Sequence, residues 1–192
     1  MFTVSVQVSH LAAALHISPT KDTRYYLNGV FLDAKSRNVV STDGHAAFIS
    51  RPDSVLLTDG VQEHVILPAA FVSDVVKNYK RDHVVLITVD GAECRTARHI
   101  SKVIDGHFPD WRRIYPEQLA GAADVQFDKE LLARVTKANK ALGVRLAGNY
   151  PIWNGEKDST VVAVLSGGEA HVVIMPLRVP PEGWPEFVRF AV

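Results

Sequence analysis

His64-Val65-Ile66-Leu67-Pro68-Ala69-Ala70-Phe71-Val72-Ser73-Asp74-Val75-Val76-Lys77-Asn78-Tyr79 is the stretch on which the fold turns. Its first four residues, the last three of them apolar, are of strand length. Pro68 then opens a helix, because its ring presets φ and its absent N–H is one that a first helical turn leaves unpaired anyway. Phe71, Val72, Val75, Val76 and Tyr79 recur at helical spacing and make one apolar stripe. A short strand therefore runs straight into an amphipathic helix.

The same unit occurs on either side of this stretch. Val4, Val6 and Val8 alternate with polar residues, and His10 to Ile17 follows as a short helix rich in alanine and leucine. Farther on, Val125 and Phe127 alternate, Asp128 is a good N-cap, and Leu131, Leu132, Val135 and Ala138 mark a buried helical face. The starts lie roughly 60 residues apart, a period that signals a repeated supersecondary unit.

Strand and turn signals follow each helix. The first unit has Tyr25 to Asp33, Asn38 to Thr42, the turn Asp43-Gly44, and Ala46 to Ser50. The second has His83 to Val89, the turn Asp90-Gly91, Ala92 to Ala97, and a closing strand from about His99. The third has Gly143 to Ala147, a loop through Pro151 and Trp153, Thr160 to Leu165, the turn Gly167-Gly168, and Ala170 to Met175. The expected class is α+β, with β-α-β-β-β units that place helices on one face of antiparallel sheets. Two units make residues 1–118 one domain. Residues 119–179 hold a third unit with no obvious partner in the chain, 180–192 form an extension, and Glu117 to Ala123 reads as a linker.

At 192 residues and 47% hydrophobic content, the chain can bury a real core. Lysine plus arginine and aspartate plus glutamate stand at 21 each, so any attraction to nucleic acid must come from locally gathered bases. Cys94 is the single cysteine, which excludes an internal disulfide and a thiolate zinc site and fits a reducing cytosol. The N-terminal stretch has no basic head and no apolar run reaches membrane length, so a cytoplasmic protein without a membrane partner is expected.

Catalytic and cofactor signals are absent. The eight histidines form no HExxH pattern, and His10 and His16 at an offset of six do not share a helix face. No GxSxG elbow or phosphate loop occurs, so a non-enzyme without cofactor or metal is expected. Asp43-Gly44-His45 resembles an acid-base pair on a turn, but Asp-Gly is a preferred hairpin dipeptide and the turn reading is favoured. Lys77, Lys80 and Arg81 gather on the second helix and Lys129, Arg134, Lys137 and Lys140 on the third, a solvated face or a phosphate-contacting one. Val173-Ile174-Met175-Pro176-Leu177-Arg178 is a strand that Pro176 ends, either simple core or an apolar binding surface with an adaptable methionine.

These residues carry a family resemblance. Arg24-Tyr25-Tyr26-Leu27-Asn28-Gly29-Val30 followed by Thr42-Asp43-Gly44-His45 resembles the middle domain of the DNA polymerase III beta subunit, the bacterial sliding clamp. Ser101 to Pro116, with its His107-Phe108-Pro109-Asp110-Trp111-Arg112-Arg113 core, is similar to the end of that domain. Val173 to Val179 resembles the clamp's C-terminal tail, and Asp128 to Lys140 the opening of its third domain.

The resemblance implies a sliding-clamp fold and a non-catalytic polymerase processivity factor that encircles duplex DNA as a homo-oligomer, touching phosphates without reading sequence. It also implies a groove for peptides of DNA polymerase and other partners, with room for a clamp loader. The groove residues would be Leu27, Thr42, Gly44, His45, Pro116, Val173, Met175, Pro176, Leu177 and Arg178. The DNA-facing set would be Arg24, Lys77, Lys80, Arg81, Arg134, Lys137 and Lys140. Departures are equally specific: the first clamp domain has no counterpart, the third is compressed, and Ala46-Ala47 stand where the family usually has arginine and leucine. A reduced, phage-type clamp closing from four chains is the leading expectation. The alternative is a ring-less peptide-binding module that competes for clamp partners. The extension from Pro180 to Phe187 either covers the groove or forms a loose tail.

Overall fold

Phe2, Val4 and Val6 of β1 (Phe2–Gln7) are buried, while Thr3, Ser5 and Gln7 between them are half exposed, the pattern of a strand with one face on a core and one toward water. The computed structural model describes residues 1–33, 35–52, 56–58, 64–116, 119–122, 127–143, 150–155 and 160–176. Within them β1 leads directly into α1 (Val8–Leu15), followed by β2 (Gly29–Asp33), β3 (Asn38–Thr42), β4 (Ala46–Ser50) and β5 (Leu56–Thr58). The second unit comprises β6 (His64–Pro68), α2 (Ala69–Asn78), β7 (Val84–Asp90), β8 (Glu93–Arg95) and β9 (Ile100–Lys102). The third comprises β10 (Leu119–Ala122), α3 (Lys129–Ala141), β11 (Ile152–Gly155), β12 (Val161–Leu165) and β13 (Ala170–Ile174).

The first two units exchange their opening strands. One antiparallel sheet runs β5-β1-β7-β8-β9 and the other β10-β11-β12-β13-β4-β3-β2-β6. Thus β1 pairs with β7 of the second unit, and β6 pairs with β2 of the first. The helices close the inner side of both sheets, and α1 lies between α2 and α3. Ala13 and Ala14 on α1 are fully buried, and Ser41 Oγ on β3 donates to the Ala14 carbonyl at 2.7 Å, a close helix–sheet approach that larger side chains would prevent.

The second sheet is buried on both faces. Its inner residues join the helix core, while Leu27, Val40, Ala47, Ile49, Ile66, Val162 and Val173 form a separate outer cluster with Phe108. The chain after β9 covers that outer face: the Ile104 N–H donates to the Ile66 carbonyl at 3.0 Å, and Phe108 stacks on Phe31 with ring centroids 4.6 Å apart.

Three expectations change. Leu119–Ala122, inside the expected linker, is a strand paired with β11, with a register shift between Ala120 and Ala122 across Gly121. Ile152–Gly155, expected as a loop, pairs with β12, because the strand ladder satisfies its backbone once β12 lies alongside. The third unit, expected to lack a partner, is joined to the first: β13 pairs with β4 over five residues from Ala170↔Ser50 to Ile174↔Ala46, and α3 packs on α1. The expected strand at Gly143 to Ala147, apart from Gly143 itself, and Val125 lie outside the described residues.

Candidate peptide groove and basic helix face

The turn after β3 is built by its own side chains. Asp43 Oδ1 accepts from the amides of His45 at 2.8 Å and Ala46 at 2.9 Å, and Thr42 Oγ1 accepts from the Gly44 amide at 3.1 Å. This is an Asx-type turn, the local hydrogen bonding that recommends aspartate there. Gly44 has φ +90, a left-handed conformation that favours glycine, and the end of the Arg24 side chain packs against it, 2.9 Å from where a Cβ would stand.

The β4–β13 seam then brings two distant stretches together. Val173 lies opposite Ala47, Ile174 opposite Ala46, and the Met175 N–H donates to the His45 carbonyl at 2.9 Å. Above the seam sits the short 3₁₀ turn Trp111–Ile114, whose N-cap Asp110 accepts from the Arg112 amide at 3.3 Å. Together they enclose an apolar groove of about 230 Å³.

Of the expected groove residues, Leu27, Thr42, Gly44, His45, Val173 and Met175 line this groove. Pro116 lines a neighbouring cavity of about 520 Å³ with Tyr115 and His171, whose hydroxyl and Nδ1 are hydrogen-bonded. Pro176 lies in a third hollow with Asp128 and Glu130, which shares Gly44, His45 and Met175 with the groove. Leu177 and Arg178 lie outside the described residues, as does the 180–192 extension. Trp111, Ile114 and Thr160 also line the groove and were not expected there. Ile114 is 40% exposed, and an apolar residue directly after the charged pair Arg112-Arg113 is the signal that marks it.

Two arginines expected to face DNA are engaged elsewhere. Arg24 lines the groove: its Nε donates to Asp22 Oδ1 at 3.0 Å, and its Nη2 to Asp22 Oδ2 at 2.6 Å and to the Asp43 carbonyl at 2.9 Å. Those bonds draw the Asp22 carboxyl down to about 2. Arg134 Nη1 donates to Asp43 Oδ2 at 2.5 Å, Nη2 to the Ile17 carbonyl at 2.6 Å, and Nε to the His16 carbonyl at 2.9 Å. Burial opposes ionisation of Asp43, but the Ala46 amide, Arg134 and the His45 amide outweigh it and hold the carboxyl below its ordinary value. Both arginines are thus tied to acceptors within the chain, Arg134 half-buried and Arg24 with its side chain still 46% exposed.

The remaining bases are exposed. Lys77, Lys80 and Arg81 lie on or just after α2, and Lys137 and Lys140 on α3. Lys77 approaches Asp74 at 3.9 Å with both side chains largely solvated, a weak pair. Gly143, which ends α3 with φ +96, has the Arg81 guanidinium 3.1 Å from where a Cβ would stand, so the basic ends of α2 and α3 meet. The intervening α1 carries no lysine or arginine.

Among the described residues no cluster of histidine, cysteine, aspartate and glutamate could hold a metal ion, and no helix is long and apolar enough to cross a membrane. Cys94 is buried on β8, and burial pushes its thiol up to about 11, which suits packing rather than reactivity.

Strand-exchanged β-α-β-β-β units, with helices on the inner side of antiparallel sheets and a groove where two units meet, define a protein of the clamp fold. The family model for the DNA polymerase III beta subunit, central domain, matches residues 6–110, and the chain belongs to that family. The beta sliding clamp of Vibrio cholerae is 33% identical over 104 residues, covering 50% of this chain and 28% of that protein. That of Haemophilus influenzae is 29% identical over 141 residues, covering 66% of this chain and 37% of that protein. The matched stretches therefore span roughly a third of these relatives.

Solved clamps share the fold. The DNA polymerase III subunit beta from Pseudomonas aeruginosa superposes with TM-score 0.69 at 17% identity, over 93% of this chain and 67% of that one. The Helicobacter pylori beta clamp bound to a DNA ligase peptide superposes with TM-score 0.73 at 13% identity, over 93% and 66%.

Proposed function

We propose that this chain is a non-catalytic, clamp-type processivity factor for DNA polymerase, which takes partner peptides into the groove on the β4–β13 seam and assembles around duplex DNA. The observation that carries the reading is the pairing of Val173 with Ala47, which gives the groove one wall from the first unit and one from the third. A relative of the same fold, the Helicobacter pylori clamp, is bound to a DNA ligase peptide. Residues 1–118 would then hold most of the basic face, and residues 119–179 would complete the groove.

Lys77, Lys80, Arg81, Lys137 and Lys140 would contact phosphates, a sequence-independent and salt-sensitive interaction compatible with sliding. Closure requires further copies. In the first sheet β9 holds the position that β4 holds in the second, and β4 is covered by β13; among the described residues β5 and β6 end the two sheets on one side, and β9 and β10 end them on the other, where units add. These edges would receive neighbouring copies, because an unpaired strand edge is a template for pairing. Four chains of three units make the twelve-unit ring.

A second reading is a ring-less module that binds clamp-partner peptides without DNA. Equal numbers of acidic and basic residues and the absence of lysine and arginine from α1 favour it. Light scattering coupled to size exclusion, across protein concentration and salt, separates the two. A species of four chain masses that retains circular duplex DNA supports the clamp; a persistent monomer with peptide affinity supports the module.

A further inference from the structure

We infer that Arg134, on the third unit's helix, is the positioning residue for the groove, setting the turn that forms one of its walls. This rests on the groove reading above.

Arg134 spends its fork on acceptors from two places: the carbonyls of His16 and Ile17 just beyond the end of α1, and the carboxylate of Asp43. Asp43 is not simply a surface partner. Its Oδ1 receives the amides of His45 and Ala46, and its carbonyl receives Arg24 Nη2. The His45 carbonyl in turn accepts the Met175 N–H. A continuous set of hydrogen bonds therefore runs from α3 through Asp43 to His45 and Met175, which are bonded to each other at the end of the groove.

The geometry suits arginine and not lysine, because three donors in a fixed plane serve three acceptors that a single ammonium could not reach together. The Asp43 side chain is 13% exposed and that of Arg134 33%, so solvent screens the pair only in part. Removal of the guanidinium leaves a mostly buried carboxylate and two helix-end carbonyls without these donors. The turn carrying Gly44 and His45 is the nearest element able to move in response.

The test compares Arg134→Gln, Asp43→Asn and the double variant for binding of the fluorescently labelled DNA ligase peptide, with Met175→Ala as the groove control. Asp43→Asn keeps the oxygen that accepts from His45 and Ala46, so it preserves the local turn if Arg134→Gln folds poorly. Each single variant is expected to weaken binding about tenfold, and the double no further, because one charge-assisted link is lost in each case.

Amide exchange supplies a readout that general destabilisation would not localise. The His45 and Ala46 amides should exchange about tenfold faster in Arg134→Gln, while those of β7 remain unchanged. Unchanged exchange at His45 and Ala46 overturns the inference. So does unaltered peptide binding in Arg134→Gln when Met175→Ala weakens it, which would leave the groove standing. Binding left unchanged by Met175→Ala removes the groove itself, and the positioning role with it.

Discussion

The Met175 amide donates to the His45 carbonyl at 2.9 Å, a bond between residues 130 positions apart that closes one end of the candidate groove. It extends the β4–β13 ladder by one step and leaves the Met175 side chain 51% exposed at the groove rim. Most of what can be tested about the site follows from this junction.

Met175→Ala should weaken partner-peptide binding about tenfold with little effect on the unfolding midpoint. An exposed, adaptable thioether contributes to a contact surface far more than to the core. Fluorescence anisotropy with the DNA ligase peptide checks the first part and urea titration the second. A large stability loss with unchanged affinity would mark Met175 as structural.

Charge reversal at Lys77, Lys80 and Lys137 should cut duplex DNA affinity and flatten its salt dependence, since each lost phosphate contact lowers the slope by about one. Filter binding between about 50 and 200 mM salt measures both. All three side chains are exposed, so the circular dichroism spectrum should not change. Retained DNA affinity would move the contact surface off α2 and α3.

Asp128→Ala should destabilise the protein by about 1 kcal/mol. The Asp128 carboxylate accepts from the Glu130 amide at 2.7 Å and the Leu131 amide at 3.3 Å, capping α3. Chemical denaturation resolves the difference, and Asp128→Ser should recover most of it.

Stability should fall as pH drops below 6.5, in part through His16 and His171. Burial, then the charges of Lys137 and Arg134, lowers the pKa of His16, and burial lowers that of His171. Both are held neutral in the fold, so their contribution is complete above the ordinary value of 6.5 and is lost toward the lowered folded values, because the unfolded chain takes up protons first. Asp43 acts in a lower window: its lowered pKa contributes above the ordinary 3.8 and is lost as the pH falls through the folded value. Urea midpoints from about pH 7.5 to 5.5 should decline less steeply in the His16→Gln, His171→Gln double variant.

Element types were legible where local physics is strong. Pro68 and the stripe from Phe71 predict α2, Asp128 caps α3, and the alternation of Val4 and Val6 is the burial pattern of β1. Leu119–Ala122 and Ile152–Gly155 were not legible as strands, because small or mixed residues carry little β propensity and become strands by pairing with each other and with β12. The groove was legible in part: Leu27, Thr42, Gly44, His45, Val173 and Met175 line it, while the Trp111–Ile114 cover depends on how the chain after β9 crosses the outer sheet. The engagement of Arg24 with Asp22 and Asp43, and of Arg134 with Asp43 across the boundary between the first and third units, was not legible, because counting charges along the chain does not reveal which acceptors the fold brings near.

The sequence by itself determined the repeated β-α-β-β-β unit, the α+β class and the family, since periodicity, capping and turn chemistry are local and the motifs are contiguous. Only the tertiary structure decided that the third unit adds to the first through β4 and β13, and that Arg24 and Arg134 both bond to Asp43. Strand edges and charged side chains choose partners by proximity and by the cost of leaving a buried group unpaired, and neither quantity exists until the chain has folded.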